Sequence, residues 1–221
     1  MGLKNTENGY GSGTKFFHWS IAFLFLFQFV TIVIFRMYED HPSWDPLWKI
    51  MNWHKTSGLL ILMLGILRVI WRKTIPLPNW PAGFDTWDMK ISHFAEWGLY
   101  SCIFLMTITG IVIEIFGGYY IPFFDLFYID NIRPYIHAGA VEYAKEITDL
   151  RKSNGNALVH DVFVAIHVVG AYGVLVFLTA HLTHVFRHQA ILKDRLLNRM
   201  LPKTLGGDDD VSSKEPPAEN M

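Results

Sequence analysis

The chain has 221 residues, 51% of them hydrophobic and 18% charged, with a formal net charge of -1. That composition is too apolar for a soluble core, and the charge balance points to no nucleic-acid partner. Its single cysteine, Cys102, can form neither an internal disulfide nor a thiolate metal cluster, so it reads as a small buried filler.

The apolar residues fall into four runs, at about Phe16–Phe35, Trp53–Trp71, Ala95–Gly117 and Val159–Phe186. Each approaches or exceeds the roughly 20 residues that cross a bilayer as a helix. The expected fold is an all-α integral membrane protein, a four-helix transmembrane bundle occupying residues 14–202.

Residues 1–13 are rich in Gly, Asn and Ser and read as a loose, flexible tail. The first helix opens with Lys15-Phe16-Phe17-His18-Trp19. Its apolar run exceeds the core of a signal peptide, and Arg36, Met37, Tyr38 and Glu39 follow it in place of a small-residue cleavage site. It is expected to be a retained span. The loop from Arg36 to Asn52 carries Trp44 and Trp48, which with Trp53 suit interfacial anchors.

The second helix begins Trp53-His54-Lys55-Thr56-Ser57-Gly58. Gly58 and Gly65 share a face, allowing either close helix packing or room for a flat cofactor beside His54. Pro76, Pro78 and Pro81 end this helix in a linker. A short amphipathic piece around Trp87 to His93 leads into the third helix, with His93 expected at the interface. Glu114, near the far end of that helix, is expected to be solvated.

The segment of about 118–158 is too long for a turn and is expected to cap one mouth of the bundle. Its first half is aromatic and its second, Ala138 to Lys152, suits a polar surface helix. After the fourth helix comes a basic stretch, Lys193 to Lys203, and residues 203–221 should be disordered. Lys and Arg gather near the inner ends of the spans, which puts both termini in the cytoplasm.

The fourth span carries the chemistry. His160, His167, His181 and His188 recur at multiples of seven, almost two turns each, and so share one stripe, with His184 off it. An ionisable side chain inside a span marks a functional site facing the bundle interior. By topology His18 matches His181 in depth on the inner side, and His54 matches His167 on the outer side. His167 and His181 stand roughly 21 Å apart along the helix, enough for two separate centres.

Zinc and copper need three or four converging ligands, whereas each depth supplies two. Two trans imidazoles are what a haem iron requires, and helical bundles build such sites from facing helices. Two bis-histidine haems b fit this count. His160 and His188 extend beyond them toward water and are expected at the interfaces, with proton transfer or a quinone contact as their possible chemistry. A haem-free metal-ion carrier or an assembly subunit using the same histidines stays open at this stage.

Phe17-His18-Trp19, Trp53-His54-Lys55-Thr56-Ser57-Gly58, His167 with His181, and the closing Lys193-Asp194 and Arg199-Met200-Leu201-Pro202 resemble the prokaryotic cytochrome b561 family. The resemblance runs from about Thr14 to Pro202. It implies a diheme cytochrome of the bacterial inner membrane with His18, His54, His167 and His181 as axial ligands. Such a protein passes electrons between the quinone pool and a periplasmic partner. One branch is a superoxide oxidase, oxidising superoxide and reducing ubiquinone. His188 matches a histidine near that branch's quinone site, although the cap segment does not resemble that branch closely. A wider group shares histidine-bearing helices and serves as the cytochrome b subunit of hydrogenases. Arg68 is positioned to neutralise a haem propionate, and Lys55 to do likewise or to attract an anionic substrate.

Overall fold

The computed structural model describes residues 2–40, 46–81, 83–117, 119, 121–123, 126–129, 156–194 and 196–201. The polar helix expected at 138–152 and the tail at 203–221 lie outside them. Four helices dominate: α1 (Ser12–Tyr38), α2 (Pro46–Thr74), α3 (Thr86–Gly117) and α4 (Asn156–Phe186). All four are long and apolar enough to cross a membrane. Between α3 and α4, β1 (Ile121–Phe123) pairs antiparallel with β2 (Phe127–Ile129). The chain continues from α4 into a π-helical turn (Arg187–Leu192), then a 3-10 turn (Leu197–Arg199).

Two helices start earlier than their apolar runs suggest, for local reasons. Proline suits a first helical position, where its missing N–H costs nothing, and α2 begins at Pro46. Asp85 caps α3: its Oδ1 accepts the backbone N–H of Asp88 at 2.7 Å, so the amphipathic piece at Trp87 to His93 is the first part of the span itself.

Helix α1 packs mainly on α2 and α3 on α4, with α2 against α3 joining the two pairs. Ile21, Ile61, Tyr100 and Ile103 form the buried centre of the α1–α2–α3 contact. Small residues allow the close approaches. A Cβ on Gly65 would lie 2.9 Å from Ile103 Cγ2, and one on Gly58 would lie 3.1 Å from Gln28 Nε2. Gly58 and Gly65 therefore serve helix packing, the plainer of their two expected roles. Phe23, Leu26, Val169 and Val176 are exposed on the outer faces, as suits side chains that meet lipid tails.

The start of α1 and the Met200–Leu201 stretch meet at one end of the bundle. Lys15 Nζ donates to the Leu201 carbonyl at 2.6 Å and Trp19 Nε1 to that of Met200 at 2.8 Å. The β hairpin marks the opposite, cap end, where the Thr56 hydroxyl donates to the Pro122 carbonyl at 3.0 Å. The stretch before α1, expected to be loose, is instead tied down. Asn5 Oδ1 accepts from Gly11 N–H at 3.0 Å and the Thr14 hydroxyl at 2.7 Å, while its amide donates to Pro76 O at 2.9 Å. Asn79 N–H reaches Glu7 O at 2.8 Å. The proline linker leaves carbonyls without helical partners, and the tail supplies one of the donors they need.

Candidate functional site

His18 on α1 and His181 on α4 face each other near the termini end. Their ring centres are 6.2 Å apart, with the planes inclined by 53°. Two imidazoles on opposite sides of one metal, each at a metal–nitrogen distance of roughly 2 Å, have ring centres about 6 Å apart. The pair is thus spaced to hold a haem iron between two helices. Arg68 of α2 lies beside it: its Nη2 is 3.4 Å from His18 Nδ1, and its Nε donates to the Tyr100 hydroxyl at 3.0 Å. Among the described residues Arg68 has no carboxylate partner, so its charge faces the histidine pair.

At the cap end His54 lies on α2 and His167 on α4. Each has Nδ1 on a threonine hydroxyl, His54 on Thr31 at 3.1 Å and His167 on Thr109 at 2.9 Å. Both hydroxyls also reach carbonyls of the preceding turn. Thr31 contacts Phe27 O and Gln28 O, both at 2.9 Å, and Thr109 contacts Leu105 O at 2.7 Å and Met106 O at 3.1 Å. A hydroxyl has one proton, and here it goes to the backbone. Each threonine oxygen must then accept from Nδ1–H, which leaves both Nε2 lone pairs free for a metal. Metal-ligating histidines are oriented in this way by a partner on their other nitrogen.

Three expectations change near these pairs. Glu114 is mostly enclosed and ion-paired with Lys55 at 2.7 Å across α2 and α3, in place of the solvated position expected for it. Lys55, placed as a propionate or anion contact, has its charge met by that carboxylate. His188 does not face solvent: its side chain is 1% exposed. It stacks on Phe84, with ring centres 4.4 Å apart. Its Nδ1 bonds Asp194 Oδ2, and its Nε2 lies 3.3 Å from Asp88 Oδ1. His93 is half exposed, as expected of an interfacial residue. His160 sits at the cap end with Nδ1 2.8 Å from the exposed Asp161.

The sequence alone assigned no role to Thr31, Thr109 or Asp88, offered Asp194 only as part of the family resemblance, and left His184 off the stripe. His184 is 8% exposed and bonded through Nε2 to Ser92 Oγ at 3.0 Å. One signal for it was present, because residues four apart, such as His184 and His188, share a helix face.

Fold and site together define a multi-pass membrane protein whose paired histidines are arranged for haem, a membrane b-type cytochrome. The chain belongs to the prokaryotic cytochrome b561 family, whose model matches residues 9–203. It is 26% identical to cytochrome b561 homolog 2 of Escherichia coli (strain K12) over 204 residues, covering 92% of this chain and 97% of that relative. Membership of this family makes electron transfer through haem b its activity.

Proposed function

We propose that this cytochrome carries two haems b, one between His18 and His181 and one between His54 and His167. On this reading it relays electrons between a quinone and a periplasmic partner across a bacterial inner membrane, with both termini in the cytoplasm. The 6.2 Å separation of the His18 and His181 rings carries the reading. Bound between these histidines, haem would supply the one-electron chemistry. The chain fixes the ligands, sets their tautomers and keeps water from the metal.

Thr31 and Thr109 hold the Nδ1 protons of the cap-end pair, and Arg68 balances a propionate at the termini end. The quinone site lies at the termini end, next to the inner haem. The Lys55–Glu114 pair favours a plain electron carrier over a superoxide oxidase, because it neutralises the cation beside His54 that would draw an anion.

Pyridine haemochrome quantitation on detergent-purified protein tests the assignment. The expected value is two haems b per chain, with reduced-minus-oxidised bands for both. His181→Ala should remove one haem and leave the other with its spectrum intact. A parent with one haem, or a variant that still holds both, overturns it.

A further inference from the structure

At the termini end, outside both histidine pairs, lies a second constellation. Asp88, His184 and His188 are all buried, and they offer ligand atoms within 4.8 Å of one another. We infer that these three side chains form a binding site for a divalent transition-metal ion of the zinc type, distinct from the haem ligands.

The argument begins with protons. His188 Nδ1 is bonded to the Asp194 carboxylate, which can only accept, so the neutral ring carries its proton there. Its Nε2 is then a bare lone pair. It is fully buried and has no hydrogen-bond partner, although Asp88 Oδ1 is only 3.3 Å away. A buried nitrogen in that condition calls for a ligand or a proton. Two atoms each roughly 2 Å from one metal at a tetrahedral angle are about 3.3 Å apart, so this spacing suits a shared ion. His184 Nε2 is bonded to Ser92 Oγ at 3.0 Å, and with Nε2–H as the donor of that bond its Nδ1 is the lone pair left for a metal.

Asp88 completes the set from α3. Arg187 Nη1 donates to its Oδ1 at 2.7 Å. Each candidate ligand thus has a partner that orients it: Asp194 for His188, Ser92 for His184 and Arg187 for Asp88. Such supporting contacts distinguish built metal sites from chance clusters.

Charge agrees. Asp88 and Asp194 carry two negative charges and Arg187 one positive charge, so the cluster with neutral imidazoles has a net charge of -1 to offer a cation. Phe84 covers it, stacked on His188 and edge-on to His184 with ring centres 6.2 Å apart, which keeps water from competing. Two imidazoles and one carboxylate suit zinc and its neighbours better than magnesium or calcium.

The backbone builds the cluster deliberately. After Phe186 the helix widens into the π turn, a feature frequent at functional sites, and His188 is its buried residue. Lys193 then takes a left-handed conformation at φ 56°, which turns Asp194 back onto His188.

The test is zinc binding to the haem-loaded, chelator-treated protein in detergent, with bound zinc per chain measured by elemental analysis and protein assay after gel filtration. The parent should retain one tightly bound zinc per chain. Asp88→Asn and His184→Gln should lose it, and Asp194→Asn should weaken it roughly 10–100-fold. Haem content, read from the visible spectrum, reports folding of each variant. If any of these variants loses haem, Ser92→Ala takes its place and should weaken binding at least severalfold. His93→Ala and His160→Ala, outside the cluster, should bind like the parent. A parent that binds no zinc at micromolar concentrations, or cluster variants that bind like the parent, overturns the inference. Neither readout depends on how many haems are bound or on quinone.

Discussion

The hydroxyl of Thr109 is committed to the backbone of its own helix, so its oxygen can only accept from His167. That acceptor makes the imidazole a more basic ligand, and a more basic ligand favours ferric over ferrous iron. Replacing Thr109 with Val keeps the shape and removes the acceptor, leaving a buried N–H without a partner at a cost of about 1–3 kcal/mol. The cap-end haem should become easier to reduce. Its midpoint should rise by on the order of 60 mV for each tenfold loss of ferric preference in a one-electron couple. Thr31→Val should move the same wave in the same direction through His54. A potentiometric titration followed in the visible haem bands measures both shifts, and an unmoved wave in both variants would show that the threonines do not tune the iron. At this scale the sequence was legible only in part. A seven-residue histidine step in an apolar run is conspicuous. A threonine inside a span usually just bonds back to its own helix, and nothing local says that its spare lone pair meets a histidine on another helix.

Lys55 and Glu114 join α2 to α3 through a buried ion pair at 2.7 Å, with side chains 12% and 13% exposed. Removing one partner of such a pair leaves a charge in a poor solvent, typically costing about 3–5 kcal/mol, whereas replacing both with apolar side chains is often neutral. Glu114→Gln should therefore lower the thermal midpoint of haem release, and Lys55→Met with Glu114→Leu should recover most of the loss. A double variant no better than the single one would show that the pair is not what holds these helices together there. The span positions were readable because length and hydropathy alone decide them. The pairings between elements were not. Glu114 lies near a span end, where solvation is the default, and its partner is on another helix 59 positions away in sequence. Asp88 and His188 are brought together by the Asp85 cap and the π turn, and neither hydropathy nor the histidine spacing encodes that irregularity.

Across the whole molecule the two histidine pairs sit in opposite electrostatic settings. At the cap end each ligand meets a neutral hydrogen-bond acceptor, and the neighbouring Lys55 is cancelled by Glu114. At the termini end Arg72 is cancelled by Glu96, at 2.9 Å, while Arg68 directs its charge at His18. A cation favours the ferrous state because reduction removes one positive charge from the iron site. A unit charge about 8 Å away at an effective dielectric near 20 contributes about 2 kcal/mol, on the order of 90 mV for one electron. The haem at the termini end should therefore have the higher midpoint, and electrons should run downhill from the cap end toward it. Arg68→Gln should lower that midpoint by several tens of millivolts and leave the other wave in place. The sign is the same whether Arg68 acts on the iron directly or by neutralising a propionate, because either loss leaves the site more negative. The two waves are assigned by which one answers to Arg68→Gln and which to Thr109→Val. If the wave that answers to Arg68→Gln proves to be the lower of the two in the parent protein, the downhill direction across the bundle is the reverse.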